Sequence, residues 1–329
     1  MLLLRDGLAS TAVAPMEVFT AAGVLWNRLV RQSATPLFRV QTASITGETV
    51  SPDGPLALVP AVAMDEVRQA DLIIVPATGL ATDELLARHG PVVPWLQHWH
   101  PRGAHIAGIC SGVALLAEAG LLDGKPATTH WGLVDLYRQK YPQVDWQPER
   151  FVTDADNVYC SGGVYASLDL SLYLVEKFGG RELSVQCAKS LLIDTPRTWQ
   201  SGYSAPPARS DHTDTRVHRA QDWLNQHYME AFRFEELAER LGMSPRNFAR
   251  RFKQATGEAP LNYLHKLRID HAKALLERDQ RTIQEIARAV GYEDLIFFRR
   301  LFKRHTGMSP QAYRQRFGAC SYEAAAASC

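Results

Sequence analysis

Residues 251–263, RFKQATGEAPLNY, and residues 301–313, LFKRHTGMSPQAY, match at an offset of 50. Phe252 answers Phe302, Lys253 answers Lys303, and Thr256-Gly257 answers Thr306-Gly307. Pro260 and Tyr263 answer Pro310 and Tyr313. Upstream, EELAERLG (235–242) matches QEIARAVG (284–291) at an offset of 49. The one-residue shift falls in the turn between the matched blocks, where an insertion is tolerated. Within a helix it would turn every later side chain onto a new face. A repeat of this kind means one supersecondary unit built twice. In each copy a short helix carries apolar residues, Leu237 and Leu241 or Ile283, Ile286 and Val290. Ala238 or Ala287 lets a second helix cross closely, and Gly242 or Gly291 supplies the turn. In the first copy Ser244 is suited to cap the next helix, with Pro245 at its first position. That is a helix-turn-helix, whose second helix fits a major groove. The plainer alternative, a helical repeat with a basic solvated face, does not call for the Ala-to-Gly spacing in both copies. Between the copies, residues 261–277 read as a long amphipathic spacer helix.

The second helices predict their own exposed faces. Phe248 and Phe252, four apart, point inward and leave Arg246, Asn247 and Arg250 toward solvent or DNA. Phe298 and Phe302 do the same in the second copy and leave Leu295, Ile296, Arg299 and Arg300 outside. Charge agrees. The net +1 of the whole chain hides −4 over residues 1–210 and +5 over 211–329. A basic C-terminal part is consistent with a polyanion partner there, though solvated surface charge gives the same sum. Residues 215–317 resemble the AraC/XylS type of DNA-binding domain, carried by YLHKLRIDHAKALLE, IQEIARAVGYED and RRLFKRHTGMSPQAYRQRF. The resemblance implies two helix-turn-helix units in adjacent major grooves of double-stranded DNA. It places Arg246, Ala249 and Arg250 of the first unit, and Leu295, Ile296, Arg299 and Arg300 of the second, against the bases. Leu-Ile stands there instead of polar residues, so thymine-methyl contact or phosphate anchoring replaces hydrogen-bonded readout.

The first part of the chain has a different texture. FRVQTAS (38–44), DLIIVPATG (71–79), AHIAGIC (104–110) and VYCSGGV (158–164) read as strands. They alternate with helical stretches such as VALLAEAGLL (113–122) and ASLDLSLYLVEKF (166–178), which implies a parallel sheet covered on both faces. The stretch 198–215, with adjacent prolines and no apolar period, reads as a linker, and the tail SYEAAAASC offers no packing pattern. The expected organisation is an α/β domain over 1–197, a linker over 198–214, an all-α domain over 215–318 and a tail over 319–329. No run approaches the roughly 18 apolar residues of a membrane span, and MLLLRDG is no signal peptide. Five widely spaced cysteines without a CxxC pair suggest neither zinc nor a disulfide framework. His98 and His100 lack a carboxylate partner, so no metal and no cofactor is expected. These signs point to the cytoplasm.

Within HIAGICSGVALLAEAGLL (105–122) an apolar strand runs to Cys110, small residues crowd the bend, and a helix follows. Enzymes present nucleophiles on such elbows. A thiol at a helix N-terminus is expected to be partly ionised and reactive. Residues 1 to about 197 resemble the class I glutamine-amidotransferase-like, PfpI-type domain, with its flavodoxin-like α/β fold. The carriers are APMEVFTAAG, DLIIVPATG, GICSGVALLAEAGLLDGKPATTHW and CSGGVYASLDLSLYLVE. The pairing of the two domains resembles the GlxA-type regulators of the AraC family. The resemblance puts Cys110 at the elbow, His130 at the histidine position and Glu17 at that of the acid. MLLL is shorter than the usual first strand, so either the strand is clipped or the start lies upstream. Thr78 follows Ala77 where such enzymes often carry paired glycines for an oxyanion hole. The expectation is a ligand pocket lined by Glu17, Thr78, Cys110, His130 and Trp131, with no catalytic turnover. The chain then reads as a sequence-specific transcriptional regulator governed by a small metabolite. The resemblance favours an activator, an amino acid or betaine-like amine as effector, a homodimer, and RNA polymerase as a further partner. Two alternatives stay open: a thiol hydrolase or amidotransferase with an attached DNA-binding domain, and an interaction module with a vestigial pocket.

Overall fold

The computed structural model describes residues 1–194, 200–203 and 212–318. The chain divides into two units, Met1–Gln200 and Ser201–Cys329. Of the expected linker, residues 198, 199 and 204–211 lie outside the described residues, as does the expected tail.

In the first unit the continuous apolar runs form central strands. Its strands are β1 (Ala43–Ser44), β2 (Val62–Ala63), β3 (Leu72–Val75), β4 (His105–Ile109), β5 (Pro126–Ala127), β6 (Asp145–Trp146), β7 (Val152–Ala155) and β8 (Val158–Ser161). The main sheet has the order β3-β4-β8-β7, with β3, β4 and β8 parallel. The edge strand β7 is antiparallel to β8, a hairpin that the alternation of strands and helices did not announce. Leu2 donates to the Ile74 carbonyl and Leu3 to that of Ala43, so the first residues lie between β1 and β3. Of the strand expected over 38–44 only Ala43–Ser44 enters a ladder, and the Met1 amine donates to the Gln41 carbonyl just before it.

Successive residues of a strand face opposite sides, and the sheet shows it. Ile73, Val75 and Ile106 enter one core, with Leu85, Leu96, Leu115, Val134 and Tyr137. These come from the helices α3 (Thr82–His89), α4 (Val92–Trp99), α5 (Val113–Glu118) and α6 (Val134–Lys140). Ile74, Ala107, Ile109 and Tyr159 enter the other core, with Val18, Phe19, Leu170, Leu174 and Cys187. These belong to α1 (Ser10–Ala21), α7 (Ala166–Gly179) and α8 (Arg181–Leu191), beside the short α2 (Leu25–Leu29). This is the expected flavodoxin-like sandwich, and it brings the ends of β3, β4, β5 and β8 to one edge.

Among its described residues the second unit is all helix: α9 (Thr215–His227), α10 (Phe234–Arg240), α11 (Pro245–Thr256), α12 (Pro260–Arg278), α13 (Ile283–Ala289), α14 (Leu295–Thr306) and α15 (Pro310–Phe317). The repeat builds two cores, each around a phenylalanine pair: Phe248 and Phe252 in one, Phe298 and Phe302 in the other. The helix α12 is the spacer expected between them. Leu264 and Leu267 join the first core, and Ile269, Ala272 and Leu276 the second.

Candidate functional site

The elbow is present. Strand β4 ends at Ile109, and residues Cys110–Gly112 form a single 3-10 turn before α5. Cys110 has φ of +55°, a left-handed conformation that a side chain adopts only where the surroundings over-determine it. Several contacts do so. A Cβ at Gly112 would lie 2.1 Å from the Pro76 carbonyl oxygen, so only glycine lets the turn approach the loop after β3. Thr129 Oγ1 donates to the Cys110 carbonyl at 2.8 Å, and the Tyr137 hydroxyl donates to that of Ser111 at 3.0 Å.

Two backbone amides of the loop after β3 are engaged nearby. The Ala77 amide donates to Thr11 Oγ1 at 3.1 Å and the Thr78 amide to Ser111 Oγ at 3.0 Å. Neither is free to receive an oxyanion. Cys110 is only 4% exposed. Burial pushes its thiol up to about 11, against the smaller opposing pull of the Ser111 amide. The expected partial ionisation is therefore corrected. The turn has the shape of a nucleophile elbow, but it faces the core, and desolvation outweighs the amides of one short turn.

His130 caps the turn Trp131–Leu133, its Nδ1 accepting from the Gly132 amide at 3.1 Å. The proton of the neutral ring therefore sits on Nε2, which donates rather than accepts. Burial holds the ring below its ordinary value. Trp131 lies beside it, ring centres 5.1 Å apart. Thr78 is buried, and among the described residues its Oγ1 has no protein partner; the same holds for Ser161 Oγ at the end of β8. Thr78, Cys110, His130 and Trp131 thus follow the C-terminal ends of β3, β4 and β5, the edge where sheets of this kind bind ligands. Glu17 is apart from them in this respect: it is exposed on α1 and shares no hydrogen bond with the thiol among the described residues. A cavity of about 980 Å³ opens at the opposite edge, between Phe38–Gln41 and Asp71–Ile74. Arg39, Asp71, Trp95, His105 and Phe178 are among its lining residues, and none of Thr78, Cys110, His130 and Trp131 borders it.

Sequence reasoning missed one member of this edge. Gln200, 2% exposed, turns its carboxamide nitrogen toward Thr128 Oγ1, the Thr129 carbonyl and the Arg150 carbonyl, at 3.0, 2.8 and 3.0 Å. It stands in the stretch read as linker, where a lone glutamine gives no pattern to find.

In the second unit both helix-turn-helix turns rest on left-handed glycines, Gly242 at φ +65° and Gly291 at +86°. Ser244 Oγ accepts from the Asn247 amide and caps α11 as expected, and Asp294 caps α14 through the Ile296 and Phe297 amides. Arg246, Ala249, Arg250, Arg299 and Arg300 are exposed. Asn247 is half-buried, and its Oδ1 accepts from Arg250 at 3.0 Å, which orients that guanidinium. Ile296 is 78% exposed. Leu295, expected outside, is half-buried against the second core, because the first turn of α14 leans on it. Arg268 of α12, also unanticipated, donates to the carbonyls of Tyr228, Gly291 and Glu230, tying the second turn to the chain after α9. No helix among the described residues is long and apolar enough to cross a membrane. Nor do three or more His, Cys, Asp or Glu side chains among them cluster as a metal site.

Comparison with known proteins agrees with both halves. Residues 8–177 match the DJ-1/PfpI family and residues 237–316 a helix-turn-helix domain family. The HTH-type transcriptional regulator CdhR of Pseudomonas aeruginosa is 28% identical over 288 residues, covering 87% of this chain and 84% of that protein. The HTH-type transcriptional regulator GlxA of Rhizobium meliloti is 27% identical over 331 residues, covering 96% and 95%. The crystal structure of a THiJ/PfpI family protein from Pseudomonas syringae superposes with a TM-score of 0.50 at 20% identity, covering 69% of this chain and 85% of that one.

Proposed function

The chain belongs to the DJ-1/PfpI family, carries an AraC-type pair of helix-turn-helix units and is a DNA-binding transcriptional regulator; from that premise we propose that its first unit senses a small molecule at the elbow edge and does not turn it over. The observation that carries this reading is the engagement of the Ala77 and Thr78 amides by Thr11 and Ser111. With those amides taken and the thiol protonated by burial, the elbow offers neither an ionised nucleophile nor a free amide at Ala77 or Thr78 for an oxyanion. What remains is a set of buried polar groups at the ligand edge of the sheet, including the unpartnered Thr78 hydroxyl. Thr78, Cys110, His130 and Trp131 line the site, with Glu17 at its rim, and an amino acid or a betaine-like amine is the effector.

On the DNA side, Arg246, Asn247, Ala249 and Arg250 meet one major groove, and Ile296, Arg299 and Arg300 the next. Leu295 supports its helix from within. The effector shifts populations of conformers that differ in operator affinity. The protein acts in the cytoplasm as a homodimer and activates transcription with RNA polymerase. The test joins both halves. The full chain should bind its promoter DNA with an affinity that falls steeply with salt as counterions are released. A thermal-shift screen of amino acids and betaines should find a compound that raises the melting temperature. Cys110→Ser should keep that response within about tenfold in Kd, and Cys110→Trp should abolish it while DNA binding persists. Amide or ester hydrolysis by the wild type, lost in Cys110→Ser together with the transcriptional response, would instead establish the enzyme reading.

A further inference from the structure

Three oxygens converge on the Gln200 carboxamide nitrogen: Thr128 Oγ1, the Thr129 carbonyl and the Arg150 carbonyl, all within 3.0 Å. Each acts as an acceptor. Two are carbonyls, and the Thr128 hydroxyl has already given its proton to the Arg150 carbonyl at 2.9 Å. A primary amide nitrogen carries only two protons, so one of the three oxygens faces it without one. A primary ammonium carries three and adds a positive charge, which strengthens every such bond. The seat therefore suits a –NH3⁺ group better than the group that fills it.

Its place in the fold gives the mismatch a use. The seat lies directly behind the elbow: Thr129, which accepts from Gln200 through its carbonyl, holds the Cys110 carbonyl through its hydroxyl. The loop after β8 borders both groups. A Cβ at Gly162 would come within 2.6 Å of the Gln200 carboxamide, and one at Gly163 would meet the His130 ring at 3.6 Å. Gln200 is also the last residue of the first unit, and its amide donates to the Glu149 carbonyl at 2.7 Å. From the next residue the chain belongs to the DNA-binding unit, where Tyr203 rests on Phe317.

We propose that the oxygens of Thr128, Thr129 and Arg150 form the ammonium subsite of the effector site, and that a ligand bearing a primary ammonium takes it by displacing the Gln200 carboxamide. This rests on reading the elbow edge as the sensor site, and it deepens that reading by naming the group recognised. A trimethylammonium has no N–H and cannot use the seat, so the subsite separates primary amines from betaines. Displacement frees the chain where it leaves the sensor, which joins occupancy of the site to the segment leading to the DNA-binding unit. While seated, the carboxamide is a tethered competitor at an effective concentration on the order of millimolar.

The experiment uses the full chain and n-butylammonium against butyltrimethylammonium, with Kd read by calorimetry and thermal shift. Butylammonium should bind the wild type, and butyltrimethylammonium should not compete with it. Gln200→Ala empties the seat and should lower the butylammonium Kd at least tenfold. Gln200→Glu, whose carboxylate is repelled by three acceptors, should do the same if the alanine variant folds poorly. Gln200→Lys places an ammonium in the seat and should abolish binding, and Thr128→Val, one acceptor short, should weaken it. Equal binding of the two probes, or an unchanged Kd in both emptied variants, overturns the proposal. Silence of both amines alongside a response to another compound class that Cys110→Trp removes would strike out the ammonium seat and leave the sensor reading standing. Silence toward every class strikes out both.

Discussion

Arg268 offers the sharpest test of how the two DNA-binding units are held together. Its side chain is buried, with 9% exposure of the residue, and its three nitrogens donate to three main-chain carbonyls: Tyr228 at 2.6 Å, Gly291 at 2.9 Å and Glu230 at 3.0 Å. The guanidinium also sits 5.1 Å from the centre of the Tyr292 ring. Gly291 is the turn of the second helix-turn-helix, and a Cβ there would come within 2.9 Å of the same guanidinium. Arg268→Met keeps the length and apolar stem but withdraws every donor. An abandoned buried carbonyl costs about 1–3 kcal/mol. Glu230 is exposed and Tyr228 and Gly291 only half-buried, so water re-satisfies part of the set. The expected loss is therefore about 3–5 kcal/mol rather than three full penalties. For a unit of this size that lowers its melting temperature by roughly 10–20 °C. Arg268→Lys restores the charge but reaches from one nitrogen only, and should recover less than half of the loss. Calorimetry of the full chain is the assay, the relevant transition being the one that operator DNA moves upward. A loss below about 1 kcal/mol for Arg268→Met would refute the reasoning, because the three carbonyls would then be satisfied without the arginine.

Other consequences are open to direct measurement. Burial, with the positive charges of His265, Arg304 and Lys266 and against the single opposing charge of Glu258, lowers His305 to about 4. The unfolded chain thus takes up the proton first. Stability of this unit should be complete above pH about 6.5 and fall as pH drops toward 4, and His305→Gln should flatten that part of a urea-midpoint curve. With its thiol near 11, Cys110 should react with iodoacetamide at pH 7.5 on the order of a hundredfold more slowly than free cysteine, and peptide mass spectrometry showing rapid labelling would contradict the buried state. Arg250→Ala should cost about 1–3 kcal/mol in operator binding and relax preference at one base pair. An equal loss on every sequence would mark a phosphate contact. Ile296→Ala should cost less, since its exposed side chain donates nothing, while Leu295→Ala should act chiefly on stability.

The parts of this molecule that sequence discloses are those set by periodic burial. Phe248 and Phe252, and again Phe298 and Phe302, must lie four apart to share a helix face, and their turns need Gly242 and Gly291 at positive φ. Such constraints are local, so they are written in consecutive residues and survive in both copies of the repeat. The elbow is legible for the same reason: Gly112 must pass close to the Pro76 carbonyl, and Gly108 makes room for Leu116 and Val113. Gln200 and Arg268 are illegible because each matters through main-chain carbonyls from distant stretches, and a carbonyl leaves no mark in the residue alphabet. Gln200 reaches 50 residues back to the Arg150 carbonyl and 71 back to that of Thr129. Leu295 misled through its position, since helical phase alone put it outside while the first turn of α14 tilts it against the core.

The elbow at Cys110 shows that a motif's shape and its chemistry rest on separate conditions. An elbow is a backbone device, and its positive φ at Cys110 is held by Thr129, Tyr137 and the close pass of Gly112, none of which acts on sulfur. Nucleophilicity depends on separate conditions: a solvated or charge-paired sulfur, a base with a free lone pair, and amides aimed at a developing oxyanion. Here each condition meets its own local constraint. The sulfur is buried, the His130 Nδ1 lone pair is committed to the Gly132 amide, and the Ala77 and Thr78 amides are committed to hydroxyls. The same commitments fix the loops after β3, β4 and β5 in place, which is what a binding site requires in order to read a ligand's donors and acceptors without rearranging. On the sensing role proposed above, such rigidity serves recognition, and the carboxamide of Gln200, at the end of the unit, is the group the proposed ligand moves.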